Sequence, residues 1–399
     1  MAMPLKILAN TYKIISKPLN LIILPAFIMG AKKITVSVIS DLTTDQRVIR
    51  ICSSLQEMGF EVSVIARSFA DSLPLDSYPF KASRIRCFFR KGFLQYAEFN
   101  LKLFFRLLRC KTDYLLANDL DVLLPNYLIS KWRKKEIFYD THEYFTGVPE
   151  LRQSPFKKKV WKKIEDFIFP KLPFVYTVND SVKETYEKEY GNKLWVIRNV
   201  PVTEMIEPKA LPEHWKGKYI LLMQGAGINQ GRGGMELLEA MRYLDDPFLL
   251  VYIGSGTLWE TLQAHISSWK LENRVEMIGK LRPFELKQYT RLAHLGFSLD
   301  SFDDINYLFN LPNKIFDYMH AGVPIVATAI PEVKKIIKQF DCGICLEALE
   351  PSMIAAAIKQ LFNNKEVYEQ LKANCGTAAQ EFCWENESKK LKEIYQPYL

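Results

Sequence analysis

Three stretches of the chain place residue types where they could hold a phosphate-bearing ligand. The first, Gln224-Gly-Ala-Gly-Ile-Asn-Gln-Gly-Arg-Gly-Gly234, has five glycines in eleven residues between a predicted strand and a predicted helix. Gly225, Gly227, Gly231 and Gly233 would let backbone N–H groups approach a ligand, and the following helix presents its positive N-terminus to an anion. Arg232 adds a charge with bidentate geometry for phosphate. No Gly-Lys-Ser/Thr closes the loop, so it is not a Walker A element. A tight turn whose arginine faces water is the competing reading. Ile253-Gly254-Ser255-Gly256 repeats the same logic at smaller scale after a second strand. In Leu311–Pro324, Asn310 or Asn313 can cap a helix whose first turn carries Lys314, with Asp317 three residues on. A lysine opposes the helix dipole there, which a bound diphosphate would offset. A carboxylate one turn later can accept from sugar hydroxyls. A Lys314–Asp317 surface pair explains the spacing equally well.

These residues need elements that carry them to a common edge. Ile34–Ile39 reads as a β-branched strand, Asp41–Gln46 as a polar loop, and Val48, Ile51, Leu55 and Met58 as the buried face of a helix that Gly59 ends. Glu61–Ala66 is the next strand, which makes a parallel β-α-β unit. Helices around Tyr96–Leu108 and Val122–Lys131 then alternate with strands at Tyr114–Ala117, Glu136–Tyr139 and Phe174–Val178. Pro201, Pro208 and Pro212, with Glu204 and Glu207, have the texture of a linker. The pattern restarts with the strand Tyr219–Gln224, the helix Met235–Leu244, and strands at Phe248–Ile253, Val275–Ile278, Leu295–Leu299 and Pro324–Thr328. The expected fold class is α/β, with two Rossmann-like doubly wound domains facing across a cleft. Residues 32–203 form the first domain, 204–217 the linker and 218–379 the second domain.

A chain of 399 residues, 48% hydrophobic and 25% charged, has the composition of a packed soluble protein of two domains. Its charge is uneven: residues 1–200 carry a net +12 and residues 201–399 a net −4. Lys131-Trp-Arg-Lys-Lys135 and Lys157-Lys-Lys-Val-Trp-Lys-Lys163 combine cations with tryptophan, which favours an anionic membrane surface as partner of the first domain. No nucleic-acid-binding signature accompanies the charge, so no nucleic-acid partner is expected. The apolar run Leu21–Ala31 is too short to span a bilayer, and residues 1–31 are expected to form an interfacial anchor or a packed helix. Seven scattered cysteines fit free thiols in a reducing compartment. Cys342-Gly-Ile-Cys345 lacks the second pair that a zinc site needs.

The order of these elements resembles the GT-B glycosyltransferases, most closely the retaining family 4, also called glycosyltransferase group 1. The resemblance rests on the glycine-rich loop with Arg232-Gly233, Ile253–Gly256, Val275-Glu-Met-Ile-Gly279, and Pro312-Asn-Lys-Ile-Phe-Asp-Tyr-Met319 followed by Ala321-Gly-Val-Pro324. In the first half, Asp45-Gln-Arg-Val48 to Gly59-Phe-Glu-Val62 matches the opening of that fold, and Tyr139-Asp-Thr-His-Glu143 its Asp-x-His segment. Phe382-Cys-Trp-Glu385 to Ile394-Tyr395 looks like its last helix, so residues 380–399 are expected to cross back to the first domain.

The resemblance implies sugar transfer from a UDP- or GDP-sugar donor to a glycan or lipid-linked glycan, without metal or other cofactor. Arg232 and Lys314 would neutralise the donor diphosphate, and His142 would touch the donor sugar. Gly225, Gly227, Gly231, Gly233, Gly254, Gly256, Asn313 and Asp317 would line the donor site, with Lys280 and Leu281 near the base. Asp41, Thr43 and Asp45 are candidates on the acceptor side. The family's frequent first arginine has no counterpart, because Gly225-Ala-Gly227 stands there. Asp317 takes the place of the second of two family glutamates, while Phe309 stands at the first. The expected setting is cytoplasmic, peripheral on the inner membrane face, in bacterial surface polysaccharide, lipopolysaccharide or capsule synthesis. The alternatives are a GT-B nucleotide-sugar 2-epimerase using Asp303-Asp304, or a catalytically degenerate GT-B binding subunit.

Overall fold

The computed structural model describes residues 31–399 apart from 71, 73, 76, 149, 150, 152, 153 and 304. The expected N-terminal segment, Ala31 excepted, and Asp304 therefore lie outside the described residues.

Two parallel sheets form the frame. The first has seven strands in the order β3-β2-β1-β4-β5-β6-β7: β1 Lys33–Ser37, β2 Glu61–Ser68, β3 Lys81–Arg86, β4 Tyr114–Asn118, β5 Glu136–Thr141, β6 Phe174–Thr177 and β7 Leu194–Val196. The second has six in the order β10-β9-β8-β11-β12-β13: β8 Tyr219–Gly225, β9 Phe248–Gly254, β10 Val275–Ile278, β11 Leu295–Ser298, β12 Ile325–Thr328 and β13 Gly343–Leu346. Every pairing is parallel. Central strands such as β9 are buried on both faces, which explains their unbroken apolar sequence. The expected two-domain α/β architecture is the one observed.

Local chemistry explains where the helices start and stop. Asp45 caps the helix Gln46–Glu57 by accepting the Val48 N–H at 3.1 Å. That helix buries Val48, Ile51, Cys52 and Leu55, and the chain leaves it through Gly59 at φ 107°. Asn179 caps Asp180–Tyr190 in the same way, accepting from Val182 at 2.9 Å. The last helix, Trp384–Tyr395, packs on the first domain: Trp384, Leu391, Ile394 and Tyr395 lie in a core cluster with β1 and Gln46–Glu57. Trp384 Nε1 donates to Ser54 Oγ at 3.0 Å, and Tyr395 stacks on Phe138 with ring centroids 4.3 Å apart.

Strands β3, β7 and β13 and the helices Pro155–Ile168 and Asp180–Tyr190 are absent from the sequence reading. β3 is a half-exposed edge strand of mixed polarity, β7 has three residues, and β13 holds Cys345, read only for metal spacing. All seven cysteines are free thiols, and the buried Cys375 Sγ donates to Val323 O at 3.3 Å. The linker is not loose. Glu204 pairs with Lys287 and Lys209 with Glu285, each at 2.8 Å, and buried Trp215 donates to Glu276 at 2.6 Å.

Candidate functional site

In a parallel sheet the loops beyond the carboxyl ends of the strands converge, and here both sheets turn such loops toward one cavity of about 610 Å³. Asp45, Arg47, His142 and Asn179 contribute from the first domain; Gln224, Gly225, Gly227, Arg232, Lys314 and Asp317 contribute from the second.

The second-domain wall carries the cations. Arg232 donates from Nη1 to the buried Asp300 at 2.9 Å, and its guanidinium carbon lies 4.8 Å from the centre of the Tyr307 ring. Lys314 stands in the first turn of the helix Asn313–Ala321, half-buried, and no described residue forms a hydrogen bond or ion pair with its ammonium. Burial pulls its pKa down, the like charge of Arg232 adds to this, and Asp300 opposes it. Neither expected asparagine caps that helix. Pro312 occupies the N-cap position without a side-chain bond, while Asn310 donates to Asp300 at 2.7 Å. The helix start is thus left for another acceptor. Asp317 does not pair with Lys314; it accepts from Gln224 Nε2 at 3.3 Å. Burial pushes its carboxyl up, against the pull of Lys287, Arg50 and His320.

The first-domain wall holds the expected His142 in a charged network whose other members Arg47 and Asp119 the sequence reading did not single out. Arg47 grips the fully buried Asp140 through two bonds, Nε–Oδ2 at 2.9 Å and Nη2–Oδ1 at 2.6 Å, and donates from Nη1 to Ile197 O at 2.6 Å. His142 lies between two carboxylates, with Nδ1 3.0 Å from Asp119 and Nε2 3.2 Å from Asp140. Although burial opposes the charge, these two carboxylates hold the imidazole pKa well above its usual value. Both ring nitrogens are engaged, so His142 offers the cavity positive charge rather than a free N–H. The backbone of Asp119 is at φ 63°, an unusual conformation for a non-glycine residue, and its Oδ1 accepts the His142 N–H at 2.8 Å.

The glycines divide into two groups. Gly225 and Gly227 line the cavity, and a methyl group on Gly227 would meet only Asn229 Nδ2, at 3.6 Å. The other four are glycines because another part of the chain fills the space. A methyl on Gly254 would lie 1.9 Å from Gly225 O, one on Gly256 2.1 Å from Ile228 O, one on Gly233 2.2 Å from Leu299, and one on Gly231 2.7 Å from Tyr307. Lys280 is exposed and Leu281 packs on the second-domain core; neither reaches the cavity wall, whereas Asn313 does. Asp45 is on the wall. Asp41 and Thr43 are not: Asp41 accepts from the Thr43 backbone at 3.1 Å and from Arg84 at 2.7 Å, which makes a local turn. Asp303 is exposed and accepts from Ser301 Oγ at 2.6 Å. Among the described residues no group of three His, Cys, Asp or Glu side chains is placed to hold a metal ion.

Comparison with known proteins gives a consistent answer. The family described as Glycosyltransferase Family 4 matches residues 45–201, and Glycosyl transferases group 1 matches residues 211–381. The chitobiosyldiphosphodolichol beta-mannosyltransferase of Candida albicans is 22% identical over 265 residues, covering 60% of this chain and 57% of that protein. Two solved structures share the fold. Sucrose-phosphate synthase from Thermosynechococcus elongatus has a TM-score of 0.76 at 15% identity, covering 92% of this chain and 98% of that one. Anabaena Alr3699/HepE in complex with UDP-glucose has a TM-score of 0.73 at 15% identity, covering 92% and 99%. With both halves matched in order and the two facing parallel sheets in common, this chain belongs to the glycosyltransferases of GT-B fold, in the group 1 and family 4 division.

Proposed function

We propose that the protein moves a sugar, with retention and without a metal, from a UDP- or GDP-sugar to a glycan or lipid-linked glycan. One observation carries this reading: Arg232 and Lys314, which no described residue pairs, meet on a cavity wall whose floor is the open backbone of Gly225 and Gly227. A nucleoside diphosphate is the leaving group, and the negative charge it develops as its bond to C1 breaks needs fixed cations and N–H donors. Lys314, the uncapped helix start behind it and Arg232 supply both. The electron pair of that bond passes to the diphosphate, the acceptor oxygen bonds to C1 on the same face, and its proton goes to the departing phosphate. No protein nucleophile takes part. Asp317 would accept from a sugar hydroxyl and the Gln224 amide N–H would donate to one, with Asp45 on the acceptor side. His142 would lend positive charge to the cleft.

Two relatives support the substrate classes: Alr3699/HepE is solved with UDP-glucose, and the Candida enzyme is named for a dolichol-linked acceptor. A peripheral site on the inner membrane face, in bacterial surface glycan synthesis, fits the first domain. Phe88, Trp132 and Phe156 are 83%, 66% and 76% exposed there, beside exposed Arg90, Lys91, Lys131 and Lys157. Among the described residues no helix is long and apolar enough to cross a membrane.

Calorimetric titration with UDP, GDP and ADP in EDTA, beside Arg232→Ala and Lys314→Ala, tests the donor site. Micromolar binding of one nucleotide, weakened at least about tenfold in both variants, is expected. Absence of binding to the intact protein would favour a catalytically degenerate subunit. Flotation with anionic vesicles at low salt tests the membrane reading, which a wholly unbound protein would refute.

A further inference from the structure

Residues 300–303 and 305–310 touch both walls of the cleft. On the second-domain side they are knitted to the glycine-rich loop: Ser301 N donates to Gly231 O at 2.8 Å and Tyr307 OH to Gln230 O at 3.1 Å. Gly231, at φ 77°, leaves room for the Tyr307 ring, which a methyl group there would strike at 2.7 Å. The ring lies against the Arg232 guanidinium, and Asp300 holds one of that guanidinium's nitrogens while its other oxygen is tied to Asn310.

On the first-domain side the same residues are anchored three times. Phe309 O accepts from Asn179 Nδ2 at 2.7 Å. The Phe309 ring packs against the first-domain core. The Asn306 amide is placed to donate to Tyr144 O at 3.2 Å and to accept from Val148 N at 2.9 Å. Anchors on both domains decide where the Tyr307 ring sits, and the ring with Asp300 decides the plane of Arg232.

We propose that Tyr307 is a positioning residue: through its ring it holds Arg232 in the orientation that meets the donor diphosphate, and the anchors on Asn179 and Tyr144 make that orientation depend on the two domains being together. This rests on the donor-site reading above. An arginine freed from the ring keeps its charge but samples many rotamers, so the affinity lost is the part owed to pre-organisation.

The test is a double-mutant cycle on whichever of UDP, GDP or ADP binds the unmodified chain. Tyr307→Leu is expected to weaken binding about tenfold, as a cation–π contact at a partly buried site allows. Tyr307→Phe, which keeps the ring and removes the hydroxyl that donates to Gln230, is expected to bind within about twofold of the unmodified chain. In an Arg232→Ala background Tyr307→Leu should cost nothing further, because its effect runs through that arginine. Losses that add, or a Phe variant as weak as the Leu variant, would overturn the positioning role alone. Failure of the unmodified chain to bind any nucleotide would overturn the donor site and this role together.

Discussion

Arg47 and Asp140, 93 residues apart in sequence, face each other through two parallel hydrogen bonds at the base of the cleft, both side chains almost wholly withdrawn from water. Removing one partner strands a buried charge, a loss of about 3–5 kcal/mol in comparable pairs. Asp140→Ala should therefore lower unfolding stability by about that amount. The double variant Arg47→Met with Asp140→Leu should be more stable than Asp140→Ala alone. Urea titration followed by circular dichroism measures both, and equal losses in the two variants would count against the pair as described.

His142 shares Asp140 Oδ2 with Arg47 and lies between two carboxylates. Its folded pKa is raised above its unfolded value, so its contribution to stability is full below about 6.5 and fades as pH rises through the raised value. The stability advantage of the native chain over His142→Gln should thus shrink steadily on going from neutral to alkaline pH. Parallel stability curves would show that the imidazole is not held charged.

Lys314 runs the other way. Burial lowers its pKa in the free protein, and a bound diphosphate would raise it again. As pH approaches the lowered value, nucleotide binding should therefore take up protons, seen as a binding enthalpy that varies with the ionisation enthalpy of the buffer. Affinity should fall as pH climbs through the lowered value. Lys314→Arg, whose side chain does not titrate in this range, should show neither effect.

Gly227 and Gly256 look alike in sequence and should behave differently. A methyl on Gly227 points into the cavity, so Gly227→Ala should unfold within about 0.5 kcal/mol of the native chain yet bind nucleotide at least about tenfold more weakly. A methyl on Gly256 would overlap the Ile228 carbonyl, so Gly256→Ala should cost about 2–3 kcal/mol of stability. Thermal unfolding and calorimetry on the two variants separate these outcomes.

The elements that proved legible from the chain are those whose signal is local. The strands β8 and β9 announce themselves by apolar runs, and β1 and β2 by β-branched residues alternating with polar ones. The helix Gln46–Glu57 does so by Asp45, its apolar period and Gly59. The half-exposed β3 and the three-residue β7 carry no such signal, because edge strands bury too little to need an apolar sequence. On the cavity wall, Arg232, Lys314, Gly225, Gly227 and Asp317 were readable because each follows a strand or opens a helix, where residue type by itself suggests an anion site, although four further glycines read the same way serve packing.

What the chain determined alone is the order of β and α units and the residue types that stand after each strand, since both follow from short-range periodicity and backbone preference. The tertiary structure alone decided which of six similar glycines line the cavity, since only the approach of Gly225 O, Ile228 O, Leu299 and Tyr307 distinguishes them. It also decided that Asp317 turns to Gln224 rather than Lys314, and that Arg47, Asp119 and Asp140 enclose His142. These partners come from strands and helices far apart in the chain. Through-space distance and the low dielectric of a buried cleft set their strength, and neither quantity is written in local sequence.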